Sequence, residues 1–345
     1  MARRWRIGRR LRVVAALVAA AVLMVVGGYT VYALVPGSDD LLHPSRSQDC
    51  RTPVFQYGWT YEAINYDRAS DVGLRPVPPA QRDPSWTCGG RAGPAGDVVV
   101  TSDGIRLAGW YIPAANGLGP TGPTILLVPG RSSNKSEYLH YAVPLHGTYN
   151  VAIFDLRGTG QSGDVPVTLG VLEQRDVEAA IDWLASAKHA GWIAAIGTSM
   201  GGAAALAAAG SDPRIRALVL DSMHAHIAWT IANGIEGDRH LPPFPAQLAS
   251  FFGAWLRTGV DLSSADPIDT IGHVQGRPIL LTHGSEDPYN PPAESALLNL
   301  HAGLQAKALV DIRICPGAGH AGVIDTCAAA WGDWVTTFLQ AAAGA

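Results

Sequence analysis

From Val13 to Val35 the chain runs for 23 residues without a charged side chain, directly after a segment whose first twelve residues include Arg3, Arg4, Arg6, Arg9, Arg10 and Arg12. At about 1.5 Å per residue such a stretch reaches roughly 35 Å as a helix, enough to cross a hydrocarbon core of about 30 Å with some tilt. The pattern therefore predicts a membrane span over residues 13–35. A cleavable signal peptide is the competing reading. Its apolar region usually runs about 7–15 residues and ends in small residues, which Tyr29-Thr30-Val31-Tyr32-Ala33 matches poorly. The arginines should hold residues 1–12 in the cytoplasm. Everything after Pro36 is then expected outside, as the exported part of a single-pass membrane protein or, if the span is cleaved, as a secreted one.

Residues 36–95 read as an irregular stalk rich in Pro, Ser and Arg, whose aromatics Phe55, Tyr57, Trp59, Tyr61 and Tyr66 should pack on the main domain or on a membrane. From residue 96 to 345 short apolar runs alternate with helical stretches, the pattern of βαβ units on a mostly parallel sheet. Val98–Thr101 and Leu107–Ile112 read as an opening hairpin around Asp103-Gly104. Buried strands are predicted at Thr124–Val128, Val151–Phe154, Trp192–Ile196, Ala217–Leu220, Pro278–Thr282 and Val310–Ile314, with helices at Val171–Ala187 and Gly202–Ala209. The interval from about residue 224 to 276 interrupts this alternation with a Pro-rich Leu241–Pro245 segment and an apolar Leu248–Leu256 run. It reads as a lid.

Composition narrows the picture. The chain is 345 residues long and 48% hydrophobic, which suits one large globular domain with extras. Its formal net charge is -4, and setting aside the six N-terminal arginines leaves -10, so there is no basic footprint for nucleic acid. The four cysteines, Cys50, Cys88, Cys315 and Cys327, fall on the expected exported side, where an even number of thiols is more often bridged than free. A short loop would join Cys315 to Cys327 and leave Cys50 for Cys88, although other pairings such as Cys88 with Cys315 stay open. The cysteine spacing fits no zinc motif, and neither a metal nor a cofactor is called for.

The chemistry lies in Gly197-Thr198-Ser199-Met200-Gly201-Gly202, a G-x-S-x-G element between a short buried strand and an Ala-rich helix. In that setting a serine sits on a sharp turn, and Gly197 and Gly201 let chain segments approach closely. A serine hydroxyl is too weak an acid to attack unaided, so a histidine must take its proton and a carboxylate must orient that histidine. After Pro278–Thr282 comes His283-Gly284-Ser285-Glu286-Asp287, and after Val310–Ile314 comes Gly317-Ala318-Gly319-His320. Ser199, Asp287, His320 is the expected order of nucleophile, acid and base. Glu286 and Asp221 rival Asp287 as the acid, while His283 is expected to buttress the acid loop and His224 and His226 to belong to the lid. Two backbone N–H groups must hold the oxyanion: that of Met200, and that of Arg131 in the loop after Thr124–Val128. The Arg131 side chain would face the pocket or solvent.

Together Gly197–Gly202, the Asp155–Ser162 loop, His283–Asp287 and Gly319-His320 resemble the α/β-hydrolase superfamily over about residues 96–340. Within it the chain is similar to membrane-anchored serine aminopeptidase-like and lysophospholipase-like hydrolases. The resemblance implies an α/β-hydrolase fold with a mostly parallel sheet and a small lid. It also implies Ser199 as nucleophile, His320 as base and acid, Asp287 as its orienting partner, and a shaping role for the Asp155–Ser162 loop. The sequence departs from the family where the first oxyanion loop usually reads His-Gly, since Pro129-Gly130 stands there. A carboxylic ester is the expected substrate, as a small molecule or a lipid acyl ester. An acyltransferase or peptidase using the same triad, and a surface binding protein on the scaffold, are the alternatives. Oligomeric state is left open.

Overall fold

The computed structural model describes residues 2–44, 46, 51–64, 97–306 and 309–344. Cys50, Cys88 and Tyr66 lie outside the described residues, so the expected pairing of Cys50 with Cys88 does too. Helix α1 (Ala2–Tyr32) continues through a π-helical turn, Ala33–Gly37, into α2 (Ser38–Leu42). Pro36 sits inside that turn. Proline has no N–H and its ring crowds the carbonyl four residues back, so a wider turn lets the helix pass where an α-helix would break. The helix therefore overruns the expected end of the span at Val35. The stretch Arg12–Leu42 is long and apolar enough to cross a membrane, and its leading side chains, such as Leu17, Leu23 and Val25, face outward.

Helix α3 (Pro53–Tyr57) and strand β1 (Glu62–Ile64) follow, so part of the segment expected to be an irregular stalk belongs to the folded body. Trp59 stacks on His146 with ring centroids 4.1 Å apart, and Tyr61 meets Trp110 edge-on. Of the two packing options, these aromatics take the domain. Strands β2 (Val99–Val100) and β3 (Arg106–Leu107) form a separate antiparallel ribbon. The expected single strand Leu107–Ile112 needs correction, because β4 (Gly109–Ile112) joins the main sheet instead. Ala108 is the break: its N–H donates to Ser162 Oγ (2.9 Å) and its carbonyl accepts from Asp155 N–H (2.8 Å).

The remaining chain alternates as the apolar pattern predicts. In order come β5 (Thr124–Val128), β6 (Asn150–Phe154), α4 (Gln174–Ser186), β7 (Ile193–Thr198), α5 (Met200–Ser211) and β8 (Ile215–Asp221). The lid interval holds α6 (Ile227–Arg239), α7 (Ala246–Thr258) and α8 (Pro267–Thr270). Then follow β9 (Ile279–Gly284), α9 (Ala293–His301), β10 (Val310–Cys315), α10 (Val323–Thr326) and α11 (Ala328–Gly344). The eight-stranded sheet has the order β1-β4-β6-β5-β7-β8-β9-β10, parallel from β6 to β10 and antiparallel where β1 and β4 pair.

Both faces of this sheet are covered. Along β5, Leu126 and Val128 enter one core with Ala204 and Leu206 of α5, while Ile125 and Leu127 enter the other with Trp331 and Val335 of α11. Two buried faces explain why the strands read as continuous apolar runs and not as alternation. The strand order reverses beside β5, since the chain goes out to β6 and returns to β7 on the other side. Open α/β sheets bind ligands at the carboxyl edge of such a reversal. The loops after β5 and β7 both end there, carrying Arg131 and Ser199.

Candidate active site

Ser199 occupies the turn between β7 and α5 at φ +51° and ψ −119°, a backbone region that side chains other than glycine rarely adopt. Such a conformation costs roughly 1–3 kcal/mol and persists only where the surroundings impose it. Here they do. A Cβ at Gly197 would lie 2.6 Å from the Gly201 carbonyl, and a Cβ at Gly201 would lie 2.2 Å from the Val128 carbonyl. The two glycines of the G-x-S-x-G element are thus what allows the turn to close. Ser199 N–H donates to the Asp221 carbonyl (2.9 Å), fixing the turn to the end of β8.

The structure brings the three expected side chains together. Ser199 Oγ lies 3.1 Å from His320 Nε2, and His320 Nδ1 lies 2.8 Å from Asp287 Oδ2. An ionised carboxylate only accepts, so it selects the tautomer with the proton on Nδ1 and leaves Nε2 to accept from the serine hydroxyl. Asp287 is buried, and its other oxygen accepts the N–H groups of Tyr289 and Asn290, each at 2.9 Å. Burial pushes the Asp287 carboxyl up, but hydrogen bonds from His283 and His320 outweigh it and hold the group well below the usual carboxylate range.

The rival acids take other places. Glu286 is exposed, with its N–H on the Ala318 carbonyl. Asp221 is fully buried, accepting from Thr282 Oγ1 (2.9 Å) and Tyr141 OH (3.3 Å). His283 buttresses the acid loop: it lies 3.3 Å from Asp287 Oδ2, with Nε2 2.5 Å from the Asn290 carbonyl and Nδ1 2.8 Å from Ser295 Oγ. Burial lowers the pKa of His283, yet its bonds to Asp287 and the Asn290 carbonyl raise it overall.

Met200 opens α5, so its N–H is among those a helix leaves without an internal partner. Gly130 places the loop after β5 against the same turn, since a Cβ there would be 3.2 Å from the Thr198 carbonyl and 3.6 Å from Ser199 Cβ. Arg131 lines the cavity and is half-buried, with side-chain partners of its own. Its guanidinium reaches the carbonyls of Leu41 (Nε, 3.1 Å) and Asp40 at the end of α2. Behind this loop, buried Lys135 pairs with Asp155 at 2.5 Å, and Asp155 also accepts from Lys135 N–H and Gln161 N–H. The Asp155–Ser162 loop therefore supports the loop after β5 from behind.

A cavity of about 620 Å³ covers Ser199 and His320. Its lid side carries Ile227, Ile231 and Ile235 of α6. Another part of its lining is unexpected from sequence: Tyr29, Tyr32, Ala33, Gly37 and Leu41, from the far end of the apolar N-terminal helix, which packs against Ile235 and Ala246. Tyr289, a further lining residue, escaped sequence reasoning, whereas His224 was expected in the lid interval. Tyr289 packs edge-on against His320 and donates through its hydroxyl to Asp238 of α6 (2.7 Å). His224 is buried with Nδ1 unpartnered, and burial pushes its pKa down to about 3, so it faces the cavity neutral. No group of three or more His, Cys, Asp or Glu placed to hold a metal ion occurs among the described residues.

A nucleophile elbow, an ordered Ser-His-Asp contact and a cavity at the carboxyl edge of a mostly parallel sheet define a hydrolase scaffold. The sequence profile of the alpha/beta hydrolase family matches residues 125–331, and the chain belongs to that family. It is 34% identical to the uncharacterized protein Rv2307c of Mycobacterium tuberculosis over 232 residues, 66% of this chain and 73% of the relative. It is 33% identical to the uncharacterized protein YfhR of Escherichia coli over 199 residues, 56% of this chain and 62% of the relative. Among solved structures, the Pyrococcus furiosus esterase Pf2001 superposes with a TM-score of 0.63 at 21% identity, over 87% of this chain and 97% of that one. A membrane phospholipase A described as a bacterial virulence factor superposes with a TM-score of 0.51 at 18% identity, over 72% and 86%. At these identities the likeness concerns the fold.

Proposed function

We propose that this protein is a membrane-anchored serine hydrolase that cleaves a carboxylic ester through an acyl-enzyme on Ser199. The observation that carries the reading is the continuous contact from Ser199 Oγ through His320 to Asp287, at 3.1 and 2.8 Å. His320 Nε2 takes the hydroxyl proton as Ser199 Oγ attacks the ester carbonyl carbon. Asp287 stabilises the imidazolium that forms. The oxyanion of the tetrahedral intermediate lies toward the N–H groups of Met200 and Arg131. His320 then gives its proton to the leaving alcohol, and the acyl group remains on Ser199. Water repeats the sequence, with its proton passing to His320, and releases the acid. The esterase and phospholipase named among the structural neighbours fit ester chemistry.

The anchor is read from α1, with the arginine-rich end in the cytoplasm and the hydrolase domain outside. The Cys315–Cys327 bridge fits an oxidising, exported setting. Fluorophosphonate labelling of the full chain, followed by peptide mapping, tests the nucleophile. Modification at Ser199 with loss of ester turnover is expected, and turnover that survives complete labelling or the Ser199→Ala change would sink the reading.

A further inference from the structure

Helix α7 is amphipathic in the inverted sense. Its buried face is made of small residues, Ala246, Ala249, Ser250, Gly253 and Ala254. This face lies on the end of the N-terminal helix so closely that a Cβ at Gly253 would come 2.3 Å from the Leu34 carbonyl. Arg257 fastens the contact through Ser38 Oγ (3.1 Å) and the Val35 carbonyl (3.0 Å). On the other face Leu248, Phe252, Trp255 and Leu256 recur at i, i+4, i+7 and i+8, each 49–60% exposed. That is one stripe along the helix. Phe244, 71% exposed, extends it into the preceding turn. Contiguous apolar stripes of this kind mark surfaces that something covers.

The N-terminal helix says what covers it. A hydrocarbon slab of about 30 Å that begins at Val13, just past the last arginine, takes about 20 residues and ends near Tyr32. Tyr29 and Tyr32 are the residues the lid holds: Tyr29 OH donates to the Pro242 carbonyl (2.8 Å), and Arg239 donates to Tyr32 OH (2.5 Å). A span inserted to that depth brings the lid to the boundary between acyl chains and headgroups. Tyrosine and tryptophan favour this level. The same stretch of helix walls the cavity over Ser199.

We propose that the exposed stripe of α7 docks on the bilayer that holds α1, and that the cavity over Ser199 takes an acyl ester resident in that bilayer. The docking stands on the helix packing alone, whereas the choice of substrate rests on the serine-hydrolase reading. The bilayer is favoured over a second copy of this chain because the helix that carries the stripe packs by its opposite face directly on the end of the span.

The test uses the full chain in phosphatidylcholine vesicles, as wild type, as Trp255→Phe and as the triple variant Leu248→Ser, Phe252→Ser, Leu256→Ser. None of these positions lines the cavity. Bromine on the lipid acyl chains should quench part of the wild-type tryptophan emission, and Trp255→Phe should remove that part. The triple variant should lose about tenfold or more in turnover of a long-chain ester within the vesicle. It should keep its rate on a water-soluble butyrate ester, which also certifies that it is folded. Equal quenching in wild type and Trp255→Phe overturns the docking. A vesicle-ester rate unchanged in the triple variant overturns the bilayer as substrate source. A wild-type dimer that the triple variant dissociates, with no Trp255 quenching, assigns the stripe to a second copy instead. Failure of the wild type on both esters would count against the hydrolase reading and leave the quenching result to judge the docking.

Discussion

Arg131 Nε lies 3.1 Å from the carbonyl of Leu41, so the loop expected to supply one oxyanion donor is tied to the last turn of the N-terminal helix. Unpaired carbonyls at a helix end attract cations, and the Asp40 carbonyl accepts from the same guanidinium. Arg131→Ala leaves these carbonyls without their partner and frees the loop beside Ser199. Its backbone N–H is retained, so the change reports on position and not on removal of a donor. Turnover of a soluble ester should fall about tenfold, mostly in kcat, because a donor misplaced by a fraction of an ångström loses oxyanion stabilisation. An Arg131→Ala protein with wild-type kcat would mean that the loop is held by Gly130 and the Lys135–Asp155 pair alone.

The acid assignment makes a sharper contrast. Asp287→Asn cannot accept from His320 Nδ1–H in the same way, and it favours the wrong tautomer. Ester turnover should drop by about 10⁴, with little change in KM. Glu286→Gln should stay within about twofold of wild type, because Glu286 is exposed and its backbone makes the local contact. Steady-state kinetics on one ester with both variants decides the matter. A larger loss in Glu286→Gln would reassign the carboxylate.

Much of this site was legible because its parts carry local signatures. Thr124–Val128 stands between prolines and is recovered to the residue, and Ser199, Asp287 and His320 each follow a strand in the order the mechanism needs. What sequence missed has tertiary causes. Glu62–Ile64 becomes an edge strand only because β4 offers it an antiparallel partner, and three residues are too few to show a period. Leu107–Ile112 reads as one strand because the break at Ala108 is made by Asp155 and Ser162, far along the chain. The role of Tyr29 to Leu41 as a cavity wall was hidden by the apolar run itself. A helix that is apolar and exposed along most of its length and packed on protein at its end looks uniform in sequence. Pro36 suggested an end where the structure makes a π-helical turn.

Cys315 and Cys327 are bridged, with Cα atoms 6.1 Å apart and a separation of 12 positions in sequence. The loop they close contains His320. On the chain-entropy model such a closure stabilises by roughly 3 kcal/mol. Cys315→Ser with Cys327→Ser should therefore lower the unfolding midpoint by several degrees. It should also lower kcat more than it raises KM, since His320 must stay within hydrogen-bond reach of Ser199. Thermal unfolding and kinetics of the double variant check both halves. A lowered midpoint with unchanged kcat would show that Asp287 and Tyr289 alone hold the imidazole.

Asp221 sets a pH dependence of stability that can be separated from that of activity. Burial raises its pKa, outweighing the Thr282 hydrogen bond, the charges of His283 and His320 and the Tyr141 hydroxyl, to about 6 from an ordinary 3.8. The folded protein then keeps this proton up to about pH 6, while the unfolded chain gives it up near 3.8. Between those values the folded state binds more protons, so Asp221 makes stability fall as pH rises, and above pH 6 its contribution is constant. The full effect is about 3 kcal/mol in order of magnitude. Asp221→Asn is neutral throughout and nearly the same shape, and its amide can still meet Thr282 and Tyr141. The variant should match wild type near pH 4 and become progressively more stable relative to it up to about pH 6, with no further divergence at higher pH. The Ser199 N–H bond is to the backbone of this residue, so the turn that carries the nucleophile is preserved. Urea unfolding of both proteins across pH 4–8 gives the difference directly. A wild type that gains stability over Asp221→Asn as pH rises through this window would show that Asp221 is ionised and paired, and would return it to consideration as a second carboxylate for His320.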